Sequence, residues 1–173
     1  TLTGAYCIGT ASLTSTFSMN QDAEPAAIAF SNWNGTGQKM FVVGHDGDEI
    51  NSYQLTTMWD VSTAVHYDTF DVSGQETNPR GIFFSNWNGT AQKMFVVGTQ
   101  ADEVNEYTLT TAWDLSSAFF VDSFIFTDQE SEPRDIWFDS SGKTMFIIGK
   151  TGDDVNVYRL STPWDVSTAS FVS

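Results

Sequence analysis

The chain has 173 residues, 40% of them hydrophobic, with 14 Phe and 6 Trp but only 7 Lys plus Arg against 22 Asp plus Glu. That length sustains one domain with a real core, and a palette rich in Phe, Trp, Val and Ile but poor in Lys favours strands over helices. A net charge of −15 excludes nucleic acid as a partner, because a polyphosphate requires a basic face, and no apolar run reaches the ~20 residues of a membrane span.

Thr1 opens the chain without a signal-peptide pattern, as expected of a processed mature form or an excerpt of a longer chain. Cys7, the single cysteine, reads as a small buried hydrophobe and leaves the fold without an internal disulfide. The first candidate element is Ser12–Met19, with Leu13, Phe17 and Met19 as its apolar positions. It matches the end of later runs at Phe124 and Phe126 and so reads as an outer strand with no inner strands ahead of it, an orphan occupying residues 1–19.

From residue 20 the chain repeats. Pro25, Pro79 and Pro133 are spaced 54 and 54, whereas Met40, Met94 and Met145, like Trp59, Trp113 and Trp164, are spaced 54 and 51. The copies run over 20–72, 73–126 and 127–173, the third shortened in one loop and closed by a short outer run, Ala169 to Ser173, that includes Phe171. A period near 50 belongs with propeller blades.

Copy two shows the elements in order. Arg80–Ser85 and Lys93–Gly98 are apolar on both faces, as strands covered on each side must be. Asn34-Gly35, Asn88-Gly89 and Ser141-Gly142 mark hairpins between these first two strands. Val104–Leu109 alternates, with Tyr107 and Leu109 on one face and Glu106 and Thr108 on the other, which predicts a half-exposed third strand. Phe119–Phe126 sets Phe120, Phe124 and Phe126 on one face of an outer strand. Between the third and fourth strands, Trp59-Asp-Val-Ser-Thr, Trp113-Asp-Leu-Ser-Ser and Trp164-Asp-Val-Ser-Thr predict a turn held by Asp and hydroxyl side chains, with the Trp capping the groove between sheets.

With Pro79-Arg-Gly-Ile-Phe-Phe-Ser, Lys93-Met-Phe-Val-Val-Gly98 and Asp102-Glu-Val-Asn-Glu-Tyr in view, the chain resembles the YVTN-type β-propeller repeats over nearly its whole length. It departs from them in the Asn-Trp-Asn-Gly-Thr and Trp-containing loops. The resemblance implies an all-β fold of four-stranded antiparallel blades, often in surface-layer or other exported proteins, and no common chemistry.

Residues with catalytic or metal-binding chemistry are few. His45 and His66 lie in different sub-structures and away from Cys7, so neither a Ser/His/Asp nor a Cys/His arrangement is supported, and zinc lacks ligands. The acidic loops at Asp46-Gly-Asp48-Glu49, Asp102-Glu103 and Asp153-Asp154, and the Gln75-Glu76 and Gln129-Glu130 pairs, read as solvated turns rather than calcium sites. No catalytic residue, metal or cofactor is expected. The most unusual feature is the pair of loops Asn32-Trp33-Asn34 and Asn86-Trp87-Asn88, able to stack on and hydrogen-bond a sugar, with Asn34 and Asn88 as N-glycosylation acceptors.

Propellers close with ~4–8 blades, so three leave uncovered faces. The expectation is therefore a non-enzymatic, self-assembling extracellular, cell-surface or virion component. Its partners would be copies of itself, with the outer strand (Leu13, Phe17, Met19, Phe171) exchanged between chains. The alternative is a lectin-like glycan-binding propeller.

Overall fold

The computed structural model describes residues 12–31, 37–85 and 92–173. These form three four-stranded antiparallel sheets, each in simple up-and-down order, so the chain is all-β with three repeats as its periodicity predicts. The first sheet holds β1 (Pro25–Phe30), β2 (Lys39–Gly44), β3 (Glu49–Leu55) and β4 (Ala64–Asp71). The second holds β5 (Pro79–Phe84), β6 (Lys93–Gly98), β7 (Glu103–Leu109) and β8 (Ala118–Ile125), and the third β9 (Pro133–Phe138), β10 (Thr144–Gly149), β11 (Val155–Leu160) and β12 (Ala169–Phe171). Each proline stands at the first residue of a sheet's first strand, where a missing N–H is tolerated.

Side chains that alternate along a strand serve two different seams. Phe41, Val43 and Ile50 of the first sheet meet Ile82, Met94, Val96 and Tyr107 of the second. Phe83, Phe95, Val97 and Val104 leave the second sheet's other side to meet Ile136, Phe138, Met145 and Tyr158 of the third. This is the physical reason the first two strands of each copy are apolar on both faces. Trp113 stacks at 6.0 Å on Phe41, and Trp164 at 6.2 Å on both Phe83 and Phe95, so these indoles do plug the grooves between sheets. The turns behind them follow the predicted chemistry, Asp60, Asp114 and Asp165 accepting from the backbone amides of Ser62, Ser116 and Ser167.

Two strand readings need correction. The third strand is buried rather than half exposed in the second sheet. Glu106 is only 1% exposed because its carboxylate takes the Lys93 ammonium and the Val166 amide, so a polar residue is admitted to the seam by being fully paired. In the outer strand, a bulge between Glu106 and Tyr107 flips the alternation. Phe120 then lies on the Tyr107 ring of its own sheet, whereas Phe124 lies on Tyr158 of the next.

Residues 12–19 belong to no sheet, because β4 already takes the edge of β3 that an outer strand would need. Phe17 and Met19 nonetheless take the packing places that their match to Phe124 and Phe126 implies, whereas Leu13 is exposed. Phe17 meets Tyr53 edge-on at 5.2 Å, as Phe70 meets Tyr107 and Phe124 meets Tyr158, each at 5.4 Å, and Met19 joins the same cluster. The outer place of the third sheet is filled by the chain's own β12, followed by Val172 and Ser173 bonded to the backbone of Val157. The far face of that sheet is open: Ile148 is 47% exposed where the equivalent Val97 is fully covered.

Candidate functional site

The first strands β1, β5 and β9 converge on a cleft of about 550 Å³. Its walls are mostly apolar and include Phe83 and three indoles, Trp59, Trp113 and Trp137, while Arg134 and Asp135 supply its charge. Aligning the copies on their prolines shows where that charge comes from. Pro25-Ala-Ala-Ile, Pro79-Arg-Gly-Ile and Pro133-Arg-Asp-Ile place Ala27, Gly81 and Asp135 at one position, so the carboxylate belongs to a single copy.

Asp135 is seated closely. A Cβ on Gly81 would lie 2.8 Å from the Asp135 Cα and 3.0 Å from its Oδ1, so the neighbouring strand leaves room for the carboxyl by carrying no side chain there. One carboxyl oxygen accepts from the Ile136 amide at 2.9 Å. Asp135 is exposed at the cleft, and the apolar wall beside it raises its carboxyl from the ordinary value by withdrawing water, against the smaller lowering effect of that amide. A carboxylate with a raised pKa in a cleft is a candidate for proton transfer.

Each first strand also carries a β-bulge one residue after its proline. Pro79 pairs with Gly98 and Gly81 with Val97, which leaves Arg80 outside the ladder, and the same shift leaves out Ala26 and Arg134. Bulges redirect side chains and recur beside functional sites.

The Glu76 and Glu130 positions are not the solvated turns the sequence suggests. Both are buried, Glu76 fully, and each carboxylate reaches backbone amides on both sides of it: Asn78 at 2.6 Å and Gln100 at 3.1 Å for Glu76, Glu132 at 2.6 Å and Thr151 at 3.0 Å for Glu130. Burial wins at Glu76 and raises its pKa, whereas at Glu130 the amides of Glu132, Thr151 and Gly152 outweigh burial and lower it. They are structural clamps. The acidic turns beside them hold Asp48, Asp102 and Asp153 at φ of 50–52°, and among the described residues no group of three His, Cys, Asp or Glu is arranged to hold a metal.

Of the residues singled out in the sequence, Asn32, Trp33, Asn34, Asn86, Trp87 and Asn88 lie outside the described residues, as does Cys7. Leu13 is exposed and Phe171 is half exposed against Tyr158 at 5.6 Å, and neither lines the cleft. His66 bonds Asn51 and Thr69 at 3.0 Å on the first sheet's outer side. Sequence reasoning missed Asp135, although the proline alignment contained the signal: a reactive residue in one copy that the others lack.

No protein-family model and no curated protein matches the chain. Among solved structures it is similar to a putative 6-phosphogluconolactonase from Bacteroides fragilis, with a TM-score of 0.59 at 11% identity over 86% of this chain and 37% of that one. It is likewise similar to the periplasmic gluconolactonase of Pseudomonas aeruginosa, with a TM-score of 0.57 at 13% identity over 86% of this chain and 38% of that one. A third match is the Cps50 (Swd1) β-propeller domain of Myceliophteria thermophila, with a TM-score of 0.51 at 11% identity over 79% and 38% of the two chains. The fold is thus that of β-propeller blades, and the chain spans about two fifths of the length of these structures.

These likenesses overturn the expectation of a non-enzymatic structural subunit. Several of the matched structures carry the names of lactonases, and a luciferin-regenerating enzyme is also among the matches. The expectation weighed the ends of the blade stack and overlooked the surface where the first strands converge.

Proposed function

We propose that the chain supplies blades to an enzymatic β-propeller that hydrolyses a sugar-derived lactone in the cleft between β1, β5 and β9. The observation that carries this reading is Asp135, the single carboxylate at its repeat position, set in an indole-lined cleft with its pKa raised. Asp135 takes a proton from water as the water oxygen attacks the lactone carbonyl carbon. The ring C–O bond then breaks, and the departing alkoxide receives a proton to give the open hydroxy acid. Trp137, which meets Phe83 edge-on at 5.0 Å and is largely exposed, offers an apolar face for a sugar ring. The names of the matched lactonases support this substrate class.

The repeated strings around Pro79, Lys93 and Asp102 support placing the blades with the YVTN type. An exported setting is part of the same reading, supported by the Lys-poor, acidic composition and by the periplasmic naming of one matched enzyme.

The test is a pH-stat assay with gluconolactone, corrected for hydrolysis in buffer. Acceleration by the chain should fall at least a hundredfold in Asp135→Asn and persist in Asp128→Asn, an exposed loop aspartate. A rate equal to buffer, or one indifferent to Asp135→Asn, rejects the reading.

A further inference from the structure

We propose that Arg80, at the bulge of β5 and two residues before the cleft-lining Ile82, recognises an oxyanion, so that the ligand taken there is a small organic anion carrying a carboxylate or a phosphate. The inference rests on the cleft reading above and extends it to a second group.

Arg80 is the bulged residue of β5, outside the ladder and next to Gly81, whose backbone abuts Asp135. Its Nε is buried and has no hydrogen-bond partner among the described residues, and no ion pair of Arg80 is formed among them. That is an unusual condition in a chain with 22 acidic residues and only 7 basic ones. The equivalent residue in the third copy, Arg134, is neutralised by Glu132, the residue before its proline, at 3.2 Å. In the second copy that place is taken by Asn78, so the carboxylate that would quench Arg80 is replaced by a neutral amide. The Asn78 Oδ1 is itself buried without a partner among the described residues.

Two orphan groups of opposite hydrogen-bonding sense therefore flank Pro79: a guanidinium donor and an amide acceptor. A half-buried guanidinium left unneutralised is costly, and its planar fork suits the paired oxygens of a carboxylate or phosphate. An acceptor beside it suits a hydroxyl on the same ligand. The chemistry that satisfies both is a hydroxylated organic acid or its phosphate ester, with the anionic end on Arg80.

The experiment is titration of the ¹⁵N-arginine-labelled chain with inorganic phosphate, gluconate and glucose, following the Arg80 Nε–Hε resonance, with affinities from calorimetry. At least one anion should shift that resonance saturably while glucose does not. A response to phosphate alone assigns a phosphoryl group and to gluconate alone a carboxylate. Arg80→Gln should weaken binding at least tenfold, Arg80→Lys should recover part of it, and Lys143→Gln, at an exposed loop lysine outside the cleft lining, should change it less than twofold. The proposal is overturned if neither anion moves the resonance in the unmutated chain, or if Arg80→Gln binds both as before. Because binding is read without turnover, failure of the anion site is distinguishable from failure of hydrolysis in Asp135→Asn.

Discussion

Lys93 Nζ lies 2.5 Å from Glu106 Oε1 and also donates to the Trp164 carbonyl at 2.7 Å, while Glu106 Oε2 accepts from the Val166 amide at 3.0 Å. One ion pair thus closes the seam between the second and third sheets. In the first seam Lys39 reaches the Trp113 carbonyl at 2.8 Å, but Ser52 stands where Glu106 would be, so Lys39 fastens it through a hydrogen bond without that ion pair. Lys93→Met should therefore destabilise the chain by about 3–5 kcal/mol, the usual consequence of leaving a buried carboxylate alone. Lys39→Met should lose about 1 kcal/mol. Urea midpoints decide between them, and equal losses would refute the pairing argument. The double variant Lys93→Met/Glu106→Leu should recover much of the single loss.

Trp113 is 7% exposed between two sheets, whereas Trp59, the same residue of the first copy, is 45% exposed. Trp113→Ala should cost about 3–5 kcal/mol through the cavity it leaves, and Trp59→Ala about 1 kcal/mol or less. Denaturation curves that place the two variants together would show that the indole in the groove is not what holds the sheets.

The repeat, the strand order and the turn chemistry were legible because each depends on local pattern: proline at a strand start, Asp and Ser behind each Trp, apolar residues on both faces of covered strands. What escaped depends on contacts between copies. Glu106 looks solvent-facing until Lys93 and Val166 are brought to it from elsewhere in the fold, and Phe120 looks coplanar with Phe124 until a bulge intervenes. Asp135 escaped for a different reason. It is one substitution in an otherwise regular position, visible only when the three copies are aligned on their prolines and the exception is given more weight than the rule. The uncovered face of the third sheet, by contrast, was legible as geometry, but an open sheet face does not by itself assign a function.

Gly98 lies against the Glu76 clamp, and a Cβ there would come within 2.3 Å of the Glu76 Cδ and 2.5 Å of the Asn78 carbonyl oxygen. The second of these is backbone and cannot swing away. Gly98→Ala should destabilise by about 1–3 kcal/mol or more, while Gly74→Ala, with nothing within 4 Å, should stay within about 0.5 kcal/mol of the parent. Thermal midpoints test the pair. A neutral Gly98→Ala would mean that the Glu76 loop yields and is no clamp.

The three buried tyrosines, Tyr53, Tyr107 and Tyr158, should set the chain's alkaline limit. Burial, reinforced by nearby carboxylates, pushes Tyr53 and Tyr158 up to about 12, and raises Tyr107 further still. In the unfolded chain a tyrosine ionises near ~10, so the folded state holds its proton more tightly. The resulting stability is complete below about pH 10 and is lost as pH rises through about 12, because there only the unfolded chain gains by ionising. Urea midpoints should thus hold level to about pH 10 and fall beyond it, with phenolate absorbance appearing together with unfolding. The Tyr158 hydroxyl has no hydrogen-bond partner among the described residues, so Tyr158→Phe should leave neutral stability nearly intact and make the alkaline fall shallower. The Tyr53 hydroxyl donates to Gln21 at 3.1 Å, so Tyr53→Phe should produce the same flattening together with a loss of about 1 kcal/mol at neutral pH. An alkaline slope unchanged in both variants would place the limit on other groups.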